Sequence, residues 1–425
     1  MKSSTIPFCP VIPESWTEVP NKHLFTYHSS KVGDDWRSYQ LLSLTTSGVR
    51  AKDINSSGGK VPESYAGYQT VDSGDMIFCL FDLDVSAVFS GLSSLSGMIT
   101  SAYDVVRPNG GLLYQKYADY WFQYVFSRRY YKIYSKNIRY TIGSDMFGSI
   151  KTPVPPMKEQ IKIGEYLDKK CSEIDSLIAV EEAQIAKLRD YKIASIGKVI
   201  KQGVEEGFGT KTTTCGWFPV ISHSGTITIV GRIYDVILGK MVSPEKTEED
   251  ETLEPYYCAA NVHLDSLDDE VLKEMWFSPV EKSNYLVKDN DLLIVEGGAG
   301  AGGAHILSHP RKAYIQNSIM IARGGGYFEN KWLYYNLYFL VKNGYIDYIC
   351  NKATIPHFTK DKLRSTEIVV YPKEDIVKLV GKLDALCANI DSLLEIKKKK
   401  IALLTDFKKS LIYEYVVGKK EVTLP

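Results

Sequence analysis

The chain contains its own partner. From Pro156 it reads PMKEQIKIGEYLDKKCSEIDSLIAVEEAQIAKLRD, and from Pro372, at an offset of 216 in the numbering, it reads PKEDIVKLVGKLDALCANIDSLLEIKKKKIALLTDFKKS. Without a gap, Leu167-Asp168 meets Leu383-Asp384, Cys171 meets Cys387, and Ile174-Asp175-Ser176-Leu177 meets Ile390-Asp391-Ser392-Leu393. Positions 156–178 hold nine identities in 23, far above chance. In the first copy Ile163, Leu167, Cys171, Ile174 and Ile178 recur in steps of three and four. In the second, Leu379, Leu383, Cys387, Ile390 and Leu394 do the same. Each is the apolar stripe of one long helix. Forty-odd helical residues reach roughly 60 Å, and so narrow a rod has to bury its stripe against a partner. The two copies are expected to pair with each other as an antiparallel coiled coil.

The same offset aligns the regions before the helices. Val71-Asp72-Ser73-Gly74-Asp75-Met76-Ile77 faces Val287-Lys288-Asp289-Asn290-Asp291-Leu292-Leu293, a turn delivering an apolar strand in each copy. Tyr103–Arg107 faces Ile319–Arg323, and Asp145 faces Asp361. The expected fold is α+β, a pseudo-two-fold repeat of two mixed α/β regions separated by two long helices. The divisions are 1–152, 153–203, 204–370 and 371–425. Residues 1–15 read as an irregular, proline-rich lead-in. Residues 114–134 read as one aromatic amphipathic helix, and Thr152–Pro156 as a stiff hinge that launches the first long helix. Residues 203–216 read as a linker, and the second long helix ends near Gly418.

At 425 residues the chain has room for two or three domains, and its formal net charge is zero, so any basic surface is local. The seven cysteines are scattered without a CxxC, and Cys171 and Cys387 occupy the apolar stripe as small buried residues. This suggests a reducing, cytoplasmic compartment. There is no N-terminal apolar signal segment and no membrane-spanning run.

Motifs for catalysis are missing. There is no Asn/Asp-Pro-Pro-Tyr/Phe, no Walker lysine motif and no Gly-x-Ser-x-Gly, so no enzyme activity and no cofactor are expected. The glycine-rich run Glu296–Ala304 follows a strand-like segment and invites a dinucleotide-binding reading. That reading requires a helix to begin there, whereas His305 to Pro310 brings a helix breaker. A loop with bare backbone near DNA and a structural turn are the other readings. His305 and His309 are four apart, but without a helix they do not form a zinc pair, and no metal is expected.

The order of these landmarks resembles the specificity (S) subunit of type I restriction–modification systems. The resemblance is carried by Pro13-Glu14-Ser15-Trp16, by Gly97-Met98-Ile99-Thr100-Ser101-Ala102-Tyr103 running on to Arg107-Pro108, and by Pro155-Pro156-Met157-Lys158-Glu159-Gln160-Ile161. In the second half it is carried by Pro255-Tyr256-Tyr257, Asn290–Ile294 and Ile315-Gln316-Asn317-Ser318. It covers nearly the whole chain. The second half departs from it in lacking a Pro-Glu-x-Trp lead-in; Ile229 to Arg232 stands there instead. The resemblance implies two target-recognition domains, each reading half of a split, asymmetric double-stranded DNA target. It implies that the helices fix the spacing and dock two methyltransferase (M) subunits, with restriction/translocase (R) subunits joining through that core. The subunit itself is then non-catalytic and touches no membrane. A related single-chain specificity module serving another methyltransferase system is the near alternative. A coiled-coil scaffold with two peptide- or glycan-binding heads is the distant one.

If the heads bind DNA, basic residues near predicted loops are the candidates. They are Arg50, Lys52, Lys60, Lys136 and Arg139 in the first region, and Lys240, His305, Arg311, Lys312, Lys352, His357 and Lys360 in the second. Arg139, Lys352 and His357 stand out because they precede the helices in aligned positions. Arg107 and Arg323 end apolar strands and read equally as structural. Lys397–Lys400 corresponds in the repeat to Glu181–Gln184, which carries two acids; either both are solvated faces, or the two patches pair across the helices and help set their register.

Overall fold

The computed structural model describes residues 1–422 other than 28, 47, 55–63, 86–87, 136–139, 205–208 and 351–355. The chain divides into two compact units: Met1–Glu182 with Lys398–Pro425, and Ala183–Lys397.

The first unit opens with strands β1 (Lys2–Ile6) and β2 (Cys9–Ile12), followed by β3 (Thr17–Pro20), helix α1 (Asn21–Leu24) and β4 (Phe25–Tyr27). Next come β5 (Leu42–Thr45), β6 (Gly48–Ala51), β7 (Gln69–Val71), β8 (Met76–Phe78), β9 (Ser90–Leu92), β10 (Gly97–Ile99) and β11 (Asp104–Pro108). Helices α2 (Gln115–Ser127) and α3 (Ser144–Ser149) and strand β12 (Lys151–Val154) lead into α4 (Met157–Gln202). The central sheet is antiparallel in the order β4-β11-β8-β9, and β3 pairs separately with β12. Trp16, Phe25, Phe78, Trp121, Phe122, Tyr131 and Phe147 fill its core.

Three expectations change here. The lead-in is not irregular: β1 and β2 form an antiparallel hairpin, and it buries Ile6, Cys9 and Ile12. Thr152–Pro156, read as a stiff hinge, begins as strand instead, because Lys151–Val154 pairs along β3 and Thr152 is buried. Pro153 is tolerated because a two-stranded pair has an open edge where a missing N–H goes unused. The aromatic segment is not one helix: α2 ends at Ser127, Arg129 turns left-handed (φ 55°), and Tyr130–Tyr134 continues as a 3₁₀ turn.

The second unit follows the same plan. Its strands are β13 (Thr210–Thr212), β14 (Val220–Ser222), β15 (Thr226–Ile229), β16 (Asp235–Leu238), β17 (Thr252–Tyr257) and β18 (Lys273–Phe277). Helix α5 (Pro279–Tyr285), β19 (Leu292–Val295), β20 (Ala304–Ile306), β21 (Tyr314–Ile315) and β22 (Ile319–Arg323) follow. Then come α6 (Tyr327–Lys342), α7 (Tyr345–Ile349), α8 (Lys360–Ser365), β23 (Glu367–Val370) and α9 (Lys373–Val416). The sheet order β16-β22-β19-β20 repeats that of the first unit, and β15 pairs with β23 as β3 does with β12. Residues 210–212, read as linker, are strand β13 against β14. Strand β23 lies 216 beyond β12, but β15 lies only 209 beyond β3. The second copy therefore begins seven positions short, which is why the offset put Ile229–Arg232 at the lead-in.

The long helices span 46 and 44 residues. In the first unit Ile163, Leu167, Cys171 and Ile174 of α4 share a core with Leu411, Ile412, Tyr415 and Val416 of α9, and Ile178 is partly buried beside it. In the second unit Ile196, Val199 and Ile200 of α4 share a core with Leu379, Leu383 and Cys387 of α9; Ile390 and Leu394 are buried as well. The pairing is antiparallel and its polar contacts repeat. In the first unit Lys408 meets Asp175 at 2.7 Å and Lys400 meets Glu181 at 2.6 Å. In the second unit Lys192 meets Asp391 at 2.8 Å, and Lys397 bonds Gln184. Adding 216 turns Asp175 into Asp391, and Lys192 into Lys408; the same step relates Glu181 to Lys397 and Gln184 to Lys400. The pairing of 397–400 with 181–184 is therefore observed. Burial raises the Cys171 thiol to about 11 and also raises that of Cys387. Both remain protonated, apolar members of the stripe.

Both helices end on a left-handed glycine, Gly203 (φ 71°) and Gly418 (φ 70°). At Gly418 a Cβ would sit 2.5 Å from Pro13, and at Gly203 one would sit 2.8 Å from the Tyr371 ring, so space and backbone both require glycine. The terminal carbonyls are met by tyrosines: Tyr117 donates to Val416 O and Tyr371 to Ile200 O, equivalent positions at the same offset.

Candidate nucleic-acid interface

In each sheet a buried aspartate is paired with an arginine. Asp75 is fully buried; it accepts the backbone N–H of Asp72 at 2.7 Å and faces Arg107 at 2.8 Å. Adding 216 gives Asp291, which accepts from Lys288 N–H at 2.7 Å and from Arg323 Nε and Nη2, both at 2.7 Å. The turn before each aspartate is left-handed, at Gly74 (φ 96°) and Asn290 (φ 66°), residue types that enter that region at least cost. Arg107 and Arg323 are thus structural, and their charge serves a buried carboxylate.

A second repeated device ties each head to its own stretch of long helix. Asp168 of α4 takes Lys116 at 2.5 Å and the Tyr120 hydroxyl at 2.9 Å, both from α2. Asp384 of α9, its counterpart in the repeat, takes Lys331 at 3.6 Å and the Tyr335 hydroxyl, both from α6.

The candidate cations divide by what they already touch. Lys240 is spent within the fold: its ammonium lies 2.6 Å from Glu281 and 3.6 Å from Glu251, donates to Trp276 O, and is only 13% exposed. Lys312 is exposed but leans on Glu254 at 3.3 Å. His305 lies on β20 with Nδ1 buried and without a partner, and burial, then the charge of Lys331, holds its pKa below the ordinary value. It is therefore neutral at pH 7 and brings no charge to a phosphate. Arg50 on β6, Lys52 just beyond it, and Arg311 before β21 are exposed and carry no ion pair among the described residues. Lys60, Lys136, Arg139 and Lys352 lie outside the described residues.

The glycine run is the loop of a hairpin. Val295 N–H bonds Gly303 O and Gly302 N–H bonds Val295 O, and the chain returns as β20 along β19. A strand, not a helix, follows, so nothing here has the form of a dinucleotide cradle. His357 is brought onto this loop: it bridges to Gly297, and its Nδ1 lies 3.5 Å from Glu296.

Lys360 is brought to two residues the sequence reading passed over. With Arg232 and Arg364 it lines an open pocket of about 340 Å³, together with Gly231, Ile233, Tyr234, Asp235 and Val236. Lys360 and Arg364 stand four apart on α8, a spacing that marks one helix face and was readable in the sequence. Arg232 lies in the segment where the repeat offset breaks, and only the fold brings it there.

The long helices also present apolar side chains to solvent. In the first unit these include Leu177 and Val180 of α4 and Leu403 and Phe407 of α9. In the second they include Leu393 and Ile396 of α9 and Tyr191 of α4. Adding 216 takes Leu177 to Leu393, Val180 to Ile396 and Tyr191 to Phe407; the fourth position is Leu403 in one copy and Lys187 in the other. Sequence reasoning missed this stripe because it sought only the helix-pairing face. Among the described residues no helix is long and apolar enough to cross a membrane.

No protein-family model matches the chain. Solved structures do. A chain from a structure of a type I R-M system, studied for its complex assembly and conformational transition, is 14% identical with a TM-score of 0.70; the match covers 96% of this chain and 100% of that one. The HsdS subunit from Thermoanaerobacter tengcongensis is 13% identical with a TM-score of 0.50, covering 96% of this chain and 98% of that one. The likeness shows that this chain has their fold, two mixed α/β regions with two long helices that pack together.

Proposed function

We propose that this chain is the DNA-specificity subunit of a type I restriction–modification system and has no catalysis of its own. The carrying observation is duplication down to individual ion pairs in the scaffold, joined to heads whose exposed cations do not repeat. Position 360 is lysine in one copy and Ser144 in the other; position 364 is arginine against Gly148. Two unlike readers on one repeated scaffold suit a split, asymmetric duplex target, since sequence is read by side chains held against base edges. In this reading the recognition domains are 1–152 and 204–370, and the helical segments 153–203 and 371–425 set the half-site spacing.

The partners follow from the helices. An apolar stripe left in solvent marks an interaction surface, and one that recurs at the repeat offset suits two copies of the same partner. Methyltransferase subunits are the proposed occupants, with restriction/translocase subunits joining that core. The DNA contacts assigned to the first head are Arg50, Lys52, Lys60, Lys136 and Arg139. Those assigned to the second are Arg311, Lys312, Lys352, His357 and Lys360. His305 is left as an uncharged neighbour, and Lys240 as a support for the β17–β18 hairpin.

The test is the methylome of cells expressing this chain with its partner subunits. A bipartite, asymmetric methylated motif that vanishes when this chain is deleted is the expected result. A continuous or palindromic motif, or none, would overturn the proposal.

A further inference from the structure

We infer that Arg232, Lys360 and Arg364 form a phosphate-binding pocket in the second unit that grips the DNA backbone beside that unit's half-site. The inference rests on the DNA-recognition reading above and extends it from Lys360, already assigned there, to Arg232, Arg364 and the pocket the three line.

Several cations near the surface of the second unit are matched by carboxylates, among them Lys240, Lys282, Lys312, Lys331, Lys342 and Lys373. The three around this pocket are not. Among the described residues none of them has a carboxylate within ion-pair distance, although Asp235 also lines the pocket. The Tyr234 hydroxyl is already committed to Glu329 O at 2.7 Å, so the guanidinium and ammonium groups are the unspent side-chain donors. Three cations against one acid leave a net positive pocket, and like charges held together favour an anion between them.

The local backbone is shaped around one of the cations. The turn Val230–Arg232 passes so close to α8 that a Cβ at Gly231 would stand 3.0 Å from Arg364 Cβ and 3.1 Å from its Nε. Glycine lets the guanidinium stem lie over the turn, and any larger residue shifts it. At the equivalent positions the first unit does not carry these three residues. Ser144 and Gly148 stand for Lys360 and Arg364 at the same offset of 216. By the β3/β15 register, offset 209, His23 stands for Arg232. A phosphodiester suits the pocket: planar arginines bind phosphate oxygens in pairs, and the contact carries no base information.

The experiment compares the full chain, assembled with its methyltransferase subunits, with R232A/R364A and with the charge-matched control R189A/K382A. Arg189 and Lys382 are exposed helix residues of the same unit, without an ion pair among the described residues. Binding to a duplex oligonucleotide is measured across a salt series. Each lost phosphate contact lowers the slope of log K against log salt by about 0.9. The expected result is a slope reduced by about 1–2 in R232A/R364A, an unchanged methylated motif, a near wild-type slope in the control, and recovery in R232K/R364K. An equal drop in the control would mean that only net charge matters, and the pocket would be refuted. An unchanged slope in R232A/R364A, with wild type binding normally, refutes the pocket and spares the DNA reading. No DNA binding by the wild-type assembly refutes both.

Discussion

Removing Arg323 tests whether the repeated aspartate–arginine pair is what holds each sheet. Asp291 is 3% exposed at its side chain and receives three donors: Arg323 Nε, Arg323 Nη2 and Lys288 N–H, all at 2.7 Å. In R323M two of these are lost and a carboxylate stays buried with one backbone donor. Stripping one partner from a buried pair costs about 3–5 kcal/mol; the remaining N–H places this case near 3. D291N is milder, about 1–2 kcal/mol, because Arg323 is 22% exposed and keeps its bond to Leu286 O at 2.8 Å. The double variant D291N/R323M leaves no orphaned charge, so its cost falls below the sum of the singles by about 2 kcal/mol. Two units in one chain do not promise a single unfolding step. The assay is therefore native-state hydrogen exchange read on β19 and β22, with β8 and β11 of the first unit as internal control. Lost protection confined to β19 and β22 is expected. A cost for R323M below about 1 kcal/mol, or strict additivity in the double variant, would refute the reasoning.

Three further outcomes are expected. Burial opposes the charge on Glu18, but bonds from Thr5 and Lys151 outweigh it and bring its pKa down to about 2. A depressed carboxylate stabilises above its unfolded pKa, so the stability Glu18 contributes at pH 7 is lost as the pH falls from about 4.5 to about 2; E18Q is expected to be weaker at pH 7 and to flatten that acid limb in urea titrations. Lys192 is 9% exposed at its side chain and faces Asp391 at 2.8 Å and Asp265 at 3.7 Å. K192E buries a third acid there and costs about 3 kcal/mol or more, while K192E/D391K recovers part of it in thermal melts. L393E/I396E alters only solvent-facing helix positions, so stability is expected to stay within about 0.5 kcal/mol, while native mass spectrometry detects one methyltransferase subunit bound in place of two.

The helical half of the fold was legible in the sequence because its signal is long and duplicated. Leu167, Cys171, Ile174 and their copies fixed the stripe, and the facing signs of 181–184 and 397–400 predicted contacts that the structure contains. The heads were less legible for definite reasons. Strands β1, β2 and β12 are short and contain or adjoin proline, so turn chemistry masked pairing that only the partner strand makes favourable. The end of α2 carries no glycine or proline; the break falls at Arg129, where tertiary packing, not local propensity, selects the left-handed turn. The partners of Lys240 lie well along the chain at Glu251 and Glu281, a separation over which a charged residue looks free until the fold closes. Arg232 was missed for the opposite reason: its neighbours Lys360 and Arg364 lie far along the chain and reach it through the contact of α8 with the turn at 230–232.

The distribution of repeated contacts bears on the kind of target the chain can serve. What recurs at the offset of 216 is the helix–helix pair Asp175–Lys408 with Lys192–Asp391, the sheet pair Asp75–Arg107 with Asp291–Arg323, and the tie from Asp168 or Asp384 to the head helix. Each is buried or bound to a long helix and serves to hold a head in place. What fails to recur lies at the surface: Lys360 and Arg364 against Ser144 and Gly148. Two identical heads on this scaffold would present the same contacts twice and read a symmetric target. On the proposed reading, with the attachments held constant and the exposed surfaces free to diverge, each head could recognise a different sequence without disturbing how it is held. An exchange of residues 16–152 with those of another protein of this fold is accordingly expected to change one half of the methylated motif, and a change in both halves would show that the heads do not read independently.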